Sequence, residues 1–178
     1  MKLDRSSQLI NGIQQISSPN FDNRPSGMEP EVIIIHAISL PPGIYGGNYI
    51  ESLFCNTLDH QAHEYFAHLE GLKVSSHLLI RRDGSVVQFV PLDKRAWHAG
   101  VSQCLGRDRV NDFSIGIELV GCDEDQFEED QYESLSMLIE LLLQEYPKID
   151  RSRIFGHSEI APGRKTDPGP KFDWSRVR

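Results

Sequence analysis

The feature that most constrains this chain is an unbroken apolar run, Val32 to Ile35, which is followed directly by His36. A strand with one solvated face alternates apolar and polar residues, whereas a strand covered on both faces is apolar throughout. The run therefore predicts a central strand of an α/β protein, buried between two layers. Because the next segment, LPPGIYGGN, is rich in proline and glycine and predicts a loop, we expect the strand to end at His36.

The remaining segments predict further helices and strands. Residues 48–70 are predicted to form two short helices, and an Asp-Gly pair at 83–84 predicts a hairpin between VSSHLLI and SVVQFV. Residues 113–119 alternate as a strand does, and the apolar spacing over 128–146 is typical of a long amphipathic helix. The sequence RIFGH predicts a last short strand that ends in His157.

This order of elements predicts the fold class: α/β, with a mixed β-sheet covered by helices. No internal repeat or change in composition divides the chain, so we expect a single domain over residues 1–178. Residues 1–30 are polar and rich in turn formers, and we expect them to wrap over the domain as an irregular N-terminal arm.

Charge and composition argue against several classes of partner. The formal net charge of −8 disfavours a nucleic-acid partner, which requires a basic surface. No segment approaches the roughly twenty apolar residues of a membrane span, and the opening residues lack the apolar core of a signal peptide. The three cysteines show no close pairing, which fits a reducing compartment. We therefore expect a soluble cytoplasmic protein that binds neither nucleic acid nor membrane.

Two histidines and one aspartate form a candidate metal site. His36 and His157 each end a predicted strand, and ligands tend to gather at the carboxyl ends of strands in open α/β sheets. Asp167 lies in a Pro- and Gly-rich tail that can fold back as an extended arm. Two imidazoles and one carboxylate leave a fourth position for water, an arrangement typical of a catalytic zinc. The alternative is that the two histidines are ordinary hydrogen-bonded strand ends.

Two charged residues near these positions suit attack on a carbonyl group. Lys165 lies two residues before Asp167, so both side chains point the same way in an extended segment. A lysine there can stabilise an oxyanion, whereas the alternative is a solvated lysine beside Arg164. Glu118 shares a strand face with Gly116, which leaves space for a ligand beside a general base. An exposed sheet face explains Glu118 equally well.

Long blocks of the chain resemble a known family. They run from SPNFDNRP through HAISLPPGIYGG, RRDGSVVQFVPLDKRAWHAGVSQ and NDFSIGIEL to GHSEIAPGRKTDPGPKFDW. In these blocks the chain resembles the AmpD-type 1,6-anhydro-N-acetylmuramyl-L-alanine amidases. Those enzymes belong to the zinc amidase group that includes peptidoglycan-recognition proteins and phage amidase lysozymes. The resemblance implies the fold of that group, as one amidase domain over residues 1–178.

Carried over by position, the resemblance implies a catalytic centre of five residues. It implies Zn²⁺ on His36, His157 and Asp167. It also implies Glu118 as the general base and Lys165 as the residue that stabilises the transition state.

The resemblance further implies contacts with substrate. Trp97 matches the aromatic contact for the muramyl sugar, and Arg109 matches a contact for the carboxylates of the stem peptide. Lys73 stands where the family has arginine, which keeps the charge but loses the bidentate fork. Ala37 stands where an asparagine is expected, which removes one polar contact. His98 follows Trp97 and is a further candidate for the substrate side.

The implied function is hydrolysis of the amide between anhydro-N-acetylmuramic acid and L-alanine in cytoplasmic muropeptides, by a monomer, in cell-wall recycling. Two alternatives stay open: an amidase that acts on intact peptidoglycan, and a non-catalytic module that only binds muropeptide. Because the three ligands, Glu118 and Lys165 are all present, we favour the enzyme. The lack of an export signal favours small cytoplasmic fragments as its substrate.

Overall fold

The computed structural model of the protein describes all 178 residues. Its centre is one six-stranded sheet, accompanied by three two-stranded pairs. The twelve strands are Lys2–Asp4 (β1), Leu9–Asn11 (β2), Gln14–Gln15 (β3), Phe21–Asn23 (β4), Val32–Ile38 (β5), Leu78–Ile80 (β6), Val86–Gln88 (β7), Lys94–Ala96 (β8), Gln103–Cys104 (β9), Arg107–Asp108 (β10), Ser114–Val120 (β11) and Ile154–Gly156 (β12).

Helices connect the strands and cover the sheet. The long helix predicted over 128–146 is confirmed, and the two short helices predicted within 48–70 are an α-helix and a 3-10 helix. None of the helices combines the length and the apolar character that a membrane span requires. The α-helices are Tyr49–Phe54 (α1), Glu129–Glu145 (α2) and His157–Ile160 (α3), and the 3-10 helices are Glu64–Leu69, Val110–Phe113, Arg151–Arg153 and Trp174–Arg176.

The sheet is mixed, with the strand order β12-β5-β11-β6-β7-β3. The first four strands are parallel to their neighbours, whereas β7 is antiparallel to β6 and parallel to β3. The predicted fold, a single α/β domain with a mixed sheet, is confirmed, and so is the hairpin, which is β6-β7. Strand β5 continues past its predicted end at His36, because its pairing with β11 extends to Ile38 and Val120.

The central strand β5 is buried on both faces, as its apolar run predicts. Ile33 and Ile35 point into the larger core, which α2 covers. Val32 and Ile34 point to the opposite face and pack beneath the segment between β8 and β11. His36 is two residues beyond Ile34, so its side chain also lies on the face opposite α2. The face of the sheet that α2 covers is thus apolar core, and the opposite face carries His36.

Residues 1–30 differ from the expected irregular arm. They contain four short strands: β1 and β2 form a hairpin, β3 is the last strand of the sheet, and β4 pairs with β8. Buried polar contacts hold this segment in place. Ile10 N–H donates to Gln88 Oε1 at 2.8 Å, and the Arg24 guanidinium donates to the Ser114 carbonyl at 2.8 Å. Strands of two or three residues are too short to show a periodicity, which is why the sequence predicted none.

Candidate active site

The sheet register brings the candidate residues together at the carboxyl ends of neighbouring parallel strands. His36 on β5 is paired with Glu118 on β11. On the other side of β5, Gly156 of β12 is paired with Ile35, and His157 follows directly. The sequence predicted that His157 ends a strand, but in the structure it is the first residue of α3. The three positions therefore lie side by side, where ligands gather in open α/β sheets.

His36, His157 and Asp167 form one compact group of donor atoms. His36 Nδ1 lies 3.0 Å from His157 Nδ1 and 3.2 Å from Asp167 Oδ2, and His157 Nδ1 lies 3.1 Å from the same oxygen. Both histidines are buried, and Asp167 is partly open to solvent. Two donors that are each about 2.0 Å from a tetrahedral zinc ion lie roughly 3.3 Å apart, close to these separations. The group can therefore hold a metal ion.

Asp167 reaches the histidines because the tail after α3 folds back. Ser158 N–H donates to the Asp167 carbonyl oxygen at 2.9 Å, which anchors the tail beside the first turn of α3. Gly169, whose φ is +84°, lies against the loop after β11, and a Cβ on it would be 2.3 Å from Asp123 Cα. Only glycine accepts this conformation at so close an approach. The Gly-rich composition of the tail is thus a requirement for placing the carboxylate.

The orientation of His157 is set by a backbone carbonyl. His157 Nε2 lies 3.1 Å from the Ala99 oxygen, which also accepts a hydrogen bond from Arg164 Nη2 at 2.6 Å. A carbonyl oxygen can only accept, which favours the ring proton on Nε2 and turns the Nδ1 lone pair toward the donor group; Arg164 Nη2 is farther from Nε2, at 3.4 Å. This is the tautomer that a metal ligand requires.

His36 is held by another histidine. His36 Nε2 lies 2.8 Å from His98 Nδ1, and His98 Nε2 lies 3.0 Å from Ser114 Oγ. Burial lowers the pKa of His36 to about 4, and burial also lowers the pKa of His98 well below its ordinary value. Both rings are therefore neutral near pH 7. Both ring nitrogens of His98 face protein atoms, but the residue also lines the cavity described below, so the substrate contact that the sequence suggested stays a prediction.

Glu118 lies beside the donor group as a buried and unpartnered carboxyl. The residue is 8% exposed, and its Oε2 has no hydrogen-bond partner in the protein. Burial raises the pKa of Glu118 well above its ordinary value, the charge of Asp167 raises it further, and Lys165 opposes the shift. The alternative of an exposed sheet face is therefore wrong. A buried carboxyl with a raised pKa is suited to proton transfer.

The donor group and Glu118 line one cavity of about 220 Å³. Lys165 is exposed and lines the same cavity, from the tail that also carries Asp167. A few polar groups gathered at one end of a largely apolar wall are the usual character of a small-molecule site. The apolar part of the wall comes from the end of β5 and the loop after it, from α1, and from the segment before β6: Ala37, Ile38, Leu40, Leu53, Phe54, Tyr65, Leu69, Leu72 and Val74.

Comparison with known proteins identifies the family of the chain. The family model of N-acetylmuramoyl-L-alanine amidases matches residues 26–170. The chain belongs to this family. It is 53% identical to the 1,6-anhydro-N-acetylmuramyl-L-alanine amidase AmpD of Escherichia coli K12, over 94% of this chain and 91% of that protein. The AmpD-type resemblance predicted from the sequence is confirmed, and so is the expectation of an enzyme of the amidase class.

Solved structures agree with this assignment to the amidase family. The fold matches a crystal structure of a selenomethionine derivative of AmpD with a TM-score of 0.96, at 50% identity, over 100% of this chain and 98% of that one. It also matches Escherichia coli AmiD in complex with anhydro-N-acetylmuramic acid-L-Ala-D-gamma-Glu-L-Lys, with a TM-score of 0.60 and 29% identity. That match covers 87% of this chain and 59% of AmiD.

Of the four expected substrate contacts, His98 lines the cavity and the other three lie outside it. Lys73 lines a neighbouring cavity of about 190 Å³, which shares Leu53 and Leu72 with the first. Arg109 is mostly exposed, and its Nε lies 3.1 Å from a carboxylate oxygen of Asp112. Trp97 is half-buried next to His98 in the sequence. Their roles toward substrate stay predictions.

Two residues shape the site from behind in a way that the sequence did not predict, because the space expected beside Gly116 for a ligand is filled by the His98 ring. Ser114 contacts His98, as described above, and Gly116 accommodates the same ring: a Cβ on Gly116 would lie 2.6 Å from His98 Cγ. Both share a strand face with Glu118, at intervals of two residues. That alternation was visible in the sequence, but it did not reveal which ring packs on the face.

Proposed function

We propose that this amidase hydrolyses the amide between anhydro-N-acetylmuramic acid and the L-alanine of the stem peptide in cytoplasmic muropeptides. It does so as a zinc-dependent monomer in cell-wall recycling. The observation that carries the proposal is the position of the unpartnered carboxyl of Glu118 beside the donor group of His36, His157 and Asp167, in one cavity. The substrate is inferred from relatives that are named as 1,6-anhydro-N-acetylmuramyl-L-alanine amidases. The chain matches nearly the whole length of these relatives.

The donor set supports zinc as the metal. Two neutral imidazole nitrogens and one carboxylate oxygen are preferred zinc ligands, and three of them leave an open position, as catalytic zinc sites do. A zinc ion held by these three residues would supply Lewis-acid chemistry and would lower the pKa of water toward neutrality.

Glu118 and Lys165 are proposed to carry the proton and the charge. Glu118 takes a proton from the attacking water as the water oxygen adds to the lactyl carbonyl carbon. The Lys165 ammonium stabilises the negative charge that develops on the carbonyl oxygen. Glu118 then delivers the proton to the alanine nitrogen as the C–N bond breaks, which yields the anhydro sugar acid and the free peptide. The raised pKa of Glu118, which burial causes, suits both proton transfers.

The two neighbouring cavities support an elongated substrate. The relative AmiD was solved with an anhydromuramyl tripeptide, a ligand longer than one amide unit. We propose that the stem peptide extends toward Lys73, whose ammonium suits a peptide carboxylate. Trp97 and Arg109 are kept as proposed contacts for the sugar and for the peptide carboxylates.

The decisive experiment compares substrates with the purified protein. Anhydromuropeptides and intact sacculi are incubated with it, and the products are identified by mass spectrometry while zinc content is measured on the same sample. We expect stoichiometric zinc, and free stem peptide chiefly from the anhydromuropeptides. Comparable release from sacculi would replace the recycling assignment with the intact-wall alternative. Muropeptide binding without any cleavage or zinc would favour the binding module. Cell fractionation checks the proposed cytoplasmic location.

A further inference from the structure

The two histidines of the donor group are oriented in different ways. His157 Nε2 lies nearest to a carbonyl oxygen, which can only accept and therefore favours the proton on Nε2, while Arg164 Nη2 is farther away at 3.4 Å. His36 faces another imidazole, His98, which can either donate or accept. The tautomer of His36 therefore depends on where the proton of His98 lies, and that in turn depends on the hydroxyl of Ser114.

The chain Ser114–His98–His36 has two self-consistent directions. In the first, His36 Nε2–H donates to His98 Nδ1 and His98 Nε2–H donates to Ser114 Oγ, which leaves the Nδ1 lone pair of His36 free for a metal. In the second, the Ser114 hydroxyl donates to His98 Nε2 and His98 Nδ1–H donates to His36 Nε2. The His36 proton then sits on Nδ1 and points at Asp167, 3.2 Å away.

The two directions balance in charge and in protons. Each imidazole stays neutral and carries one proton in both directions, and the serine keeps its own. Only the positions change, from Nδ1 to Nε2 on both rings. A metal ion competes with the His36 Nδ1 proton for the same lone pair, so metal binding selects the first direction.

The surroundings are built to hold the His98 ring in this place. His98 is buried, and the missing side chain of Gly116 provides the room for it, because a Cβ there would lie 2.6–2.8 Å from three ring atoms. His77 is a neighbouring imidazole, with the two ring centroids 5.8 Å apart. His77 has its own partners: its Nδ1 accepts from Gly116 N–H at 3.0 Å, and its Nε2 lies 3.0 Å from the Lys94 carbonyl.

We propose that His98 is a positioning residue for the metal ligand His36, and that the hydrogen-bond chain from Ser114 through His98 reverses its direction when the metal binds. The inference rests on the proposed zinc site and deepens it. It predicts that His98 controls zinc affinity through the acceptor at its Nδ1 position.

The first test measures zinc affinity by competition with a chromogenic chelator. His98→Leu removes the acceptor, and we expect the zinc Kd to rise about 10–100-fold, the usual loss when an outer partner of a ligand is removed. His98→Asn places Oδ1 where Nδ1 stood, and we expect most of the affinity to return. His77→Leu is the matched control: it removes a neighbouring buried imidazole that contacts no ligand, so zinc affinity should stay unchanged even if stability falls.

The second test needs no variant and therefore decides the matter even if His98→Leu does not fold. The ¹⁵N imidazole signals of the parent protein are recorded with zinc and after chelation. We expect His98 to carry its proton on Nε2 with zinc and on Nδ1 without it. The same protonated nitrogen in both states, or an unchanged Kd in His98→Leu, would overturn the inference alone. A parent protein that binds no zinc would overturn the proposed function and this inference with it.

Discussion

The close approach of Gly169 to the loop after β11 makes a quantitative prediction about how the carboxylate ligand is placed. Gly169 has a φ of +84°, and a Cβ there would lie 2.3 Å from Asp123 Cα and 2.5 Å from the Asp123 carbonyl oxygen. Both contacts are with backbone, so no side-chain rotation relieves them. Either the loop or the tail must move, and the tail carries Asp167 two residues earlier.

The cost of Gly169→Ala is the sum of two effects. A non-glycine residue in the left-handed region costs roughly 1 kcal/mol. Forcing extra volume into a packed contact costs about 1–3 kcal/mol. We therefore expect the free energy of unfolding to fall by about 2–4 kcal/mol in total. Because the displaced tail holds a ligand, zinc affinity should also fall, by about tenfold or more.

Gly163→Ala is the control for this prediction. Gly163 lies in the same tail, and its φ is +76°, but a Cβ there would have nothing within 4 Å. It carries the backbone cost of roughly 1 kcal/mol without the collision. Urea unfolding in EDTA reports the stability of each variant, and chelator competition reports its zinc affinity. Equal destabilisation and equal zinc affinity of the two variants would refute the reasoning.

Two further predictions concern Glu118 and His77. Glu118→Gln removes the base and leaves the donor group intact, so kcat should fall about 10²–10⁴-fold while zinc content stays unchanged, as steady-state kinetics and metal analysis will report. Burial lowers the pKa of His77 from 6.5 to about 3. Below pH 6.5 the His77 imidazole becomes protonated in the unfolded chain but stays neutral in the folded chain down to about pH 3. The burial of His77 therefore costs no stability above pH 6.5, and the free energy of unfolding decreases as the pH falls from 6.5 toward 3. His77→Asn keeps an acceptor for Gly116 N–H and should flatten the pH dependence of the unfolding free energy in that window, by at most about 1.4 kcal/mol per pH unit.

Each of these two predictions has an outcome that would contradict it. Near-parent turnover in Glu118→Gln would rule out the general-base role, and loss of zinc from that variant would mean that the carboxyl supports the metal instead. Urea unfolding in EDTA at several pH values tests His77. Parallel curves for parent protein and His77→Asn between pH 6.5 and 3 would show that this imidazole does not resist protonation in the native state.

Local patterns predicted the elements that are long or strongly apolar. The run Val32 to Ile35 predicted the buried central strand, and the spacing over 128–146 predicted α2 to within a residue or two at each end. The same method failed for residues 1–30, where β3 is the dipeptide Gln14–Gln15 and carries no apolar signal. It also ended β5 too early, because the strand continues for as long as its neighbour β11 pairs with it.

The sequence predicted which residues form the candidate site but not how those residues are arranged in space. Resemblance over long blocks identified His36, His157 and Asp167 as a ligand set, and the structure brings their donor atoms within 3.2 Å of one another. The sequence suggested that His98 faces substrate, because it adjoins Trp97 in a loop. In the structure, the His98 ring lies between His36 and Ser114 and the residue also lines the cavity, so its role toward substrate stays a prediction.

By itself, the sequence determined the kinds of chemistry available and the family, because residue types, turn formers and apolar periodicity are local properties that a chain displays in order. The tertiary structure alone decided the register that sets His36 against Glu118, the return of the tail at Gly169, and the burial that leaves the Glu118 carboxyl unpartnered. These features join positions that are far apart in the chain. They depend on how strands pair and how closely backbones approach, which no local pattern records.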